Sequence, residues 1–324
     1  MPQRPENLGA VPLDVEHDGL TGVICAYFLE TPEPTLVDPG PSTSLPMLGR
    51  RLAELDVGLE DLRHLLLTHI HLDHAGAVGH LVKENPRLTV HVHEKGALHL
   101  IEPDRLVAST RRTFGDAHER LWGDVIPVPG DQIRAWSPGD SWPLPGIRPL
   151  PTPGHIDHHL AWEAERIGVL FTGDVMGVIL APETSAHPPT PPPAVDLPAW
   201  RRTLDETLAP VEVEAFAPTH FGFHGEFHAR RRELRACLDE VADRVRRAMR
   251  EGEGAEKEDQ AAYHRETTDE LERHFPPEWV ERYLATFSPR TDWKGVRFHL
   301  SRTEFTGEVG RDSSGALPGG EGGS

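Results

Sequence analysis

Cysteine is almost absent from this 324-residue chain: Cys25 and Cys237 are its only two. Two thiols so far apart in sequence make no disulfide framework, so stability has to come from a buried core, and the low count fits a reducing cytoplasm. Cys237 sits on an apolar helical stripe and reads as a small core residue. Long apolar runs are also missing. No stretch approaches the ~20 residues a helix needs to cross a bilayer. The opening MPQRPENLGAVPLDVEHDG has no basic segment leading into an apolar one, so no secretory leader is expected. Positive charge is scarce, with 33 Lys and Arg against 52 Asp and Glu, a net charge of -19. A field of that sign repels phosphate backbones and anionic bilayers. The densest basic run, RRREL at 230–234, reads as a solvated helix start and makes a weak nucleic-acid footprint. Nucleic acid and membrane are therefore not expected as partners; a small-molecule substrate is, and a homo-oligomer is compatible.

What is present is a globular composition, 37% hydrophobic and 26% charged, long enough for one large domain and an appendage. Apolar runs at 21–30 and 35–38 read as strands around a Pro turn, followed by a helix near 45–55 that Ser42, Thr43 or Ser44 can cap. A strand at 63–68, a helix at 74–83 and a strand at 88–93 follow. The stretch 97–136 is too long for a simple connection and reads as a partly helical insertion or lid. Further short strands are expected at 147–150, 168–172 and 213–216. The proline-rich APETSAHPPTPPP at 181–193 is expected to be a stiff, extended loop, and Asp196 to cap a helix presenting Leu197, Trp200, Leu204 and Leu208 on one face. Beyond Phe227 the spacing turns helical, with one stripe from Leu234 to Met249, a break at EGEGAEKE, and a final stripe from Trp279 to Phe287. The organisation predicted is a flexible 1–10, a catalytic domain over 11–227, a C-terminal helical region over 228–306, and a disordered Gly/Ser-rich tail over 307–324.

Histidine is abundant, with 20 in the chain, and its placement carries the chemistry. The segment LLLTHIHLDHAG at 65–76 sets His69, His71, Asp73 and His74 directly after an apolar run. Three more segments repeat the pattern: IRPLPTPGH ends in His155, GVLFTGD in Asp174 and VEAFAPTH in His220. Each is a strand-like run whose turn delivers an imidazole or a carboxylate, so packed sheets can gather all seven at one edge. Imidazole and carboxylate without thiolate suit zinc, iron or manganese, and seven donors exceed what one tetrahedral ion takes. Each residue alone has an ordinary explanation, such as Asp73 capping the helix at His74; together they point to two metal ions. His91 and His93 alternate on a strand, so only one is expected to face the metal edge, and both are expected to be structural.

THIHLDHAG resembles the H-x-H-x-D-H signature of the metallo-β-lactamase superfamily, and PTPGH, FTGD and PTH follow in the order in which that superfamily supplies its other ligands. The resemblance runs from about 11 to 222 and leaves the helical C-terminal third outside. It implies an α/β (α+β) fold, a four-layer αββα sandwich of two mixed sheets with helices outside, here with an appended C-terminal helical region. It implies His69, His71 and His155 on one ion, Asp73, His74 and His220 on the other, and Asp174 bridging. The cofactors implied are two divalent metal ions, zinc first, with iron or manganese compatible. Within the superfamily, PTPGHIDHH is similar to the glyoxalase II type, from which it departs by carrying Asp157 and His158 before His159. His158, His159 and His224 are the residues assigned to substrate binding.

The function expected is hydrolysis. A metal-bridging hydroxide, oriented by Asp73 as catalytic residue, would cleave a small carbonyl substrate: a thioester, hydroxyacylglutathione-like, or a lactone. The alternative is a phosphodiesterase, as in ribonuclease Z relatives, against which the acidic surface counts. Redox relatives fit less well: flavodiiron proteins carry Glu where this chain has His71, and persulfide dioxygenases hold a single iron, whereas His74 and His220 complete a second set. A binding module that has lost turnover is expected to have lost ligands, and none is missing.

Overall fold

The computed structural model describes residues 9–140, 142 and 144–305. In chain order the strands are β1 (Ala10–Asp14), β2 (Cys25–Leu29), β3 (Thr35–Val37), β4 (His64–Leu66), β5 (Thr89–His93), β6 (Ile133–Trp136), β7 (Ile147–Pro151), β8 (Leu160–Ala164), β9 (Val169–Gly173) and β10 (Ala215–Pro218). The helices are α1 (Leu45–Ala53), α2 (Leu72–Ala75), α3 (Val78–Glu84), α4 (Glu94–Ile101), α5 (Asp104–Phe114), α6 (His118–Trp122), α7 (Leu197–Arg202), α8 (Phe227–Glu251), α9 (Glu253–Leu271), α10 (Pro277–Thr286) and α11 (Pro289–Thr303).

Two mixed sheets result. One runs β1-β2-β3-β4-β5-β6, antiparallel from β1 to β3 and parallel onward; the other runs β10-β9-β8-β7, with only β10 and β9 parallel. Side-chain alternation divides the core into layers. Tyr27, Leu29, Val37 and Leu66 face Leu160, Trp162, Phe171 and Ala217 across the gap between the sheets. Their neighbours Phe28, Leu36, Leu65 and Val90 turn outward under Leu48 and Leu52 of α1 and Leu81 and Val82 of α3. Leu150, Ala161, Leu170 and Phe216 turn outward on the other side, under Trp200 of α7, Leu238 and Val241 of α8 and Trp293 of α11. This is the αββα sandwich, with the C-terminal helices packed on it. The central parallel strands are buried on both faces, which is why they read as near-continuous apolar runs.

Several elements differ from the sequence reading. Ala10, placed in a flexible terminus, is fully buried at the start of β1; the expected flexible 1–8 and tail from 307 lie outside the described residues. β1 carries Pro12, which a strand at the sheet edge tolerates because its outer N–H has no ladder partner to give. The helix expected at 74–83 is two helices, broken at Gly76–Ala77, where a side chain on Gly76 would meet the Leu72 carbonyl at 2.5 Å and Pro41 Cα at 3.0 Å. Ser42 and Thr43 do not cap α1; their hydroxyls donate to the carbonyls of Trp122 and Leu121 and tie α6 down. Asp196 does cap α7, accepting from Ala199 N–H. The break between α8 and α9 is the single residue Gly252 at φ +100°, and α11 follows the stripe expected to be the last. Cys237 is half-buried at the margin of the α8 stripe rather than within it. His91 and His93, two apart, share one face of β5 because strand periodicity is two; His91 packs on Trp142 and His93 on Trp136, and neither is in the two donor groups described below.

Trp162 fixes the two sheets to each other: it is fully buried and its indole N–H donates to the Leu67 carbonyl at 3.0 Å. Trp162→Ala is expected to destabilise the fold by about 3–5 kcal/mol, read as a shifted midpoint in a urea titration; a loss under about 1 kcal/mol would mean the sheets are held elsewhere.

Candidate metal centre

The ends of β4, β7, β9 and β10 converge at one edge of the sandwich, and there the seven predicted donors meet. They fall into two groups, each with ligand atoms within 4.8 Å of one another: His69, His71, His155 and Asp174, then Asp73, His74 and His220. Nε2 of His69 and Nε2 of His155 each lie 2.9 Å from Nδ1 of His71. Asp174 stands between the groups. Its Oδ2 is 3.3 Å from His155 Nε2, while its Oδ1 is 3.4 Å from His74 Nε2 and 3.7 Å from His220 Nε2. Oδ2 of Asp73 lies 3.3 Å from His220 Nε2. Asp73 is inside the first turn of α2, not at its cap, so the ordinary capping role is not its own.

Outer hydrogen bonds fix the orientation of four of the five rings. His155 Nδ1 donates to the Pro189 carbonyl and His220 Nδ1 to the Val23 carbonyl, both at 2.8 Å. His74 Nδ1 donates to Asp38 at 2.9 Å. Asp38, fully buried, also accepts from Thr68 N–H, the Thr68 hydroxyl and the Thr219 hydroxyl at 2.7–2.8 Å. With its proton given to Asp38, the Thr68 hydroxyl accepts from Nδ1 of His69 at 3.1 Å. Sequence reasoning missed Asp38. The only hint was a threonine before each of His69 and His220, whose hydroxyls need a common acceptor.

Two turns require glycine. Gly173, at φ +49°, precedes Asp174, and a side chain there would strike Thr68 Oγ1 at 2.5 Å and His159 Nε2 at 2.8 Å. Gly154, at φ +150°, precedes His155, and a side chain there would strike Trp200 Cβ at 2.3 Å.

The electrostatics separate the groups. Burial, then the rings of His74 and His71, hold His69 well below its ordinary pKa; burial and His155 push His71 down to about 3. Both rings are neutral with free lone pairs. Burial also works against charge on His74 and His220, but it is outweighed. Asp174, Asp73 and Asp38 hold His74 well above its ordinary value, and Asp73 and Asp174 hold His220 above it. The carboxyls of Asp73 and Asp174, which burial alone would raise, are held below the usual carboxylate range chiefly by His74. Two ionised carboxylates in a buried site call for positive charge. Nε2 of His74 and Oδ1 of Asp174 are buried without a hydrogen-bond partner. Orphaned donor atoms aimed at one point, in an imidazole–carboxylate set, fit a bound divalent metal.

The other assigned histidines divide. His158 lines the cavity over the donors; His159 and His224 do not. His159 Nδ1 donates to the Thr152 hydroxyl and its Nε2 accepts Asp174 N–H, so both ring nitrogens are taken and it holds the Asp174 backbone. His224 bonds the Phe221 carbonyl and shapes the loop after His220.

The family model described as the metallo-beta-lactamase superfamily matches residues 24–220, from β2 to the last donor. The chain belongs to the metallo-beta-lactamase superfamily. Among its curated relatives, a hydroxyacylglutathione hydrolase of Aeromonas salmonicida is 33% identical over 141 residues, 44% of this chain and 41% of the relative. An atrochrysone carboxyl ACP thioesterase of Pseudocercospora fijiensis is 31% identical over 120 residues, 37% and 27% of the two chains. The chain spans only about a third to two fifths of the length of lactamase-like relatives from Pestalotiopsis microspora and Neosartorya fischeri, at 34% and 39%. In fold it matches a metallo-beta-lactamase family protein of Thermus thermophilus with a TM-score of 0.62 at 22% identity, over 91% of this chain and 93% of that one. The superfamily includes hydrolases built around divalent metals, and the clusters described here suit that chemistry. No helix among the described residues is long and apolar enough to cross a membrane.

Gly173→Ala is expected to lower the melting temperature and to cut divalent metal uptake about tenfold or more, measured by thermal denaturation and elemental analysis of the dialysed protein. Undiminished uptake would show that the turn can shift without moving Asp174.

Proposed function

We propose that the chain is a dinuclear metal-dependent hydrolase that opens the carbonyl of a small thioester, ester or lactone. The observation that carries this reading is the shared carboxylate: the two oxygens of Asp174 face different donor groups. Zinc is the first assignment for both positions, and iron and manganese suit the same donors. When bound, such a pair of ions supplies a water acidified towards neutrality and a Lewis acid for the carbonyl oxygen.

The chain's own residues supply the rest. His69, His71 and His155 would hold the first ion with neutral rings. Asp73, His74 and His220 would hold the second, with Asp38 taking the Nδ1 proton of His74 and so keeping Nε2 turned inward. Asp73 is the more exposed of the two carboxylates, at 15% against 5% for Asp174, and it lines the cavity. It is therefore the group placed to accept a hydrogen bond from the attacking water and orient it. The hydroxyacylglutathione hydrolase and the ACP thioesterase are named for thioesters. This chain spans less than half of each, so that substrate class is carried here as part of the proposal. The net charge of -19 opposes a phosphodiester.

The test is turnover of S-acyl thioesters and of bis(p-nitrophenyl) phosphate by the metal-loaded protein. Thioester cleavage is expected, with Asp73→Ala lowering kcat/KM by on the order of a hundredfold or more and the metal content falling from about two ions per chain to about one. Cleavage of the phosphodiester alone would replace this reading by a phosphodiesterase. Asp38→Asn keeps the shape and the αL-tolerant backbone that Asp38 needs at φ +43°; it is expected to weaken metal retention about 10–100-fold by equilibrium dialysis.

A further inference from the structure

Above the donors lies a cavity of about 500 Å³, within the range that encloses drug-sized ligands. Its floor includes His71, Asp73, His155, Asp174 and His220. One wall is apolar, made by Leu106 and Phe114 of α5, Trp122 of α6, and Leu284 and Phe287 at and just past the end of α10. The rings interlock: Trp122 lies edge-on to Phe114 at 5.1 Å and to Phe287 at 6.3 Å, and Phe287 lies 5.2 Å from the ring of His220. The apolar wall therefore starts at the second donor group and leads away from it. None of these five residues lies on the strands that carry the donors.

Charge in the cavity is set against anions. Among the described residues that line it, Arg105 is the one Lys or Arg, whereas Asp157, Glu270 and Asp292 line it in addition to Asp73 and Asp174. Glutathione carries two carboxylates and one ammonium, and its hydroxyacyl thioesters add a small polar acyl group. Nothing in such a molecule matches an aromatic wall, and its carboxylates would be desolvated beside acidic side chains with one cation to meet them.

We infer that the substrate carries an apolar acyl group, aromatic or of medium chain length, which lies along Leu106, Phe114, Trp122 and Phe287, and that its leaving group is not an anionic peptide such as glutathione. The bond chemistry rests on the hydrolase reading above; the fit of the apolar group does not. The reaction remains a hydrolysis: the water oxygen bonds to the carbonyl carbon, the carbon–sulfur or carbon–oxygen bond breaks, and a proton from the water ends on the departing thiolate or alkoxide.

The experiment compares S-octanoyl- and S-acetyl-N-acetylcysteamine with S-lactoylglutathione on the metal-loaded protein. The octanoyl thioester is expected to exceed the acetyl thioester at least tenfold in kcat/KM, since one buried methylene is worth about fourfold in affinity. In Leu106→Asp that ratio should fall at least tenfold. Leu106 and Phe114 are both half-buried, so Phe114→Asp serves if the first variant does not fold. A preference for S-lactoylglutathione, or an octanoyl-to-acetyl ratio near one, would overturn the inference. If no thioester is cleaved, and no ester or lactone of the same acyl groups either, the hydrolase reading has failed, and calorimetry decides this one separately. Octanoate binding at least tenfold tighter than acetate, and weakened in the aspartate variant, supports an apolar site; equal binding of the two acids rejects it.

Discussion

Two carboxylates held out of water need positive charge close by, and the centre of this molecule is organised around meeting that need for Asp174 and Asp73. In the interior a bare carboxylate is several kcal/mol too costly to keep ionised. Here His74 and His220 surround both side chains on one side and His155 approaches Asp174 on the other. That requirement explains the positions of the strand ends. β4 comes from one sheet and β7, β9 and β10 from the other, and only where the two sheets' ends align can rings from both reach one carboxylate. The same need extends outward, because every ring that turns one nitrogen inward must satisfy the other. Asp38, the carbonyls of Val23 and Pro189, and the Thr68 hydroxyl do this for His74, His220, His155 and His69.

Much of this was readable in the sequence because it is local. A buried parallel strand must be apolar throughout, so β4 and β9 announce themselves, and a donor delivered by the turn after a strand sits next to that strand in sequence. What was unreadable is what depends on distant partners. Nothing near Asp38 says that Thr68 and Thr219 will converge on it. The hydroxyls of Ser42 and Thr43 look like caps, yet the carbonyls of α6 take them. His159 has the spacing of a pocket residue but is drawn to the backbone of Asp174 by the Gly173 turn. β1 carries a proline and β8 mixes a tryptophan with a glutamate, so neither shows the expected alternation; both are strands because an edge and a neighbour await them.

The C-terminal helices are more than a cover. Asp292 of α11 accepts Thr190 N–H at 2.7 Å, Gly295 leaves no room for a side chain against the Thr190 carbonyl, and Pro189, one residue earlier, takes the Nδ1 proton of His155. The proline-rich loop thus transmits the placement of α11 to the first donor group. The end of α10 meanwhile sets Phe287 against His220. Each donor group is buttressed by one helix from outside the region shared with the superfamily.

This division has a consequence for the order in which the molecule can be made. A ribosome releases the chain from residue 1 onward, and all seven donors have emerged once His220 is out. Tyr283, Phe287 and Asp292 come later. A chain that has emerged as far as His220 therefore carries all seven donor residues and the Phe114 and Trp122 part of the wall, but lacks Phe287 and the brace on Pro189. Those later residues finish the cavity; none of them supplies a ligand.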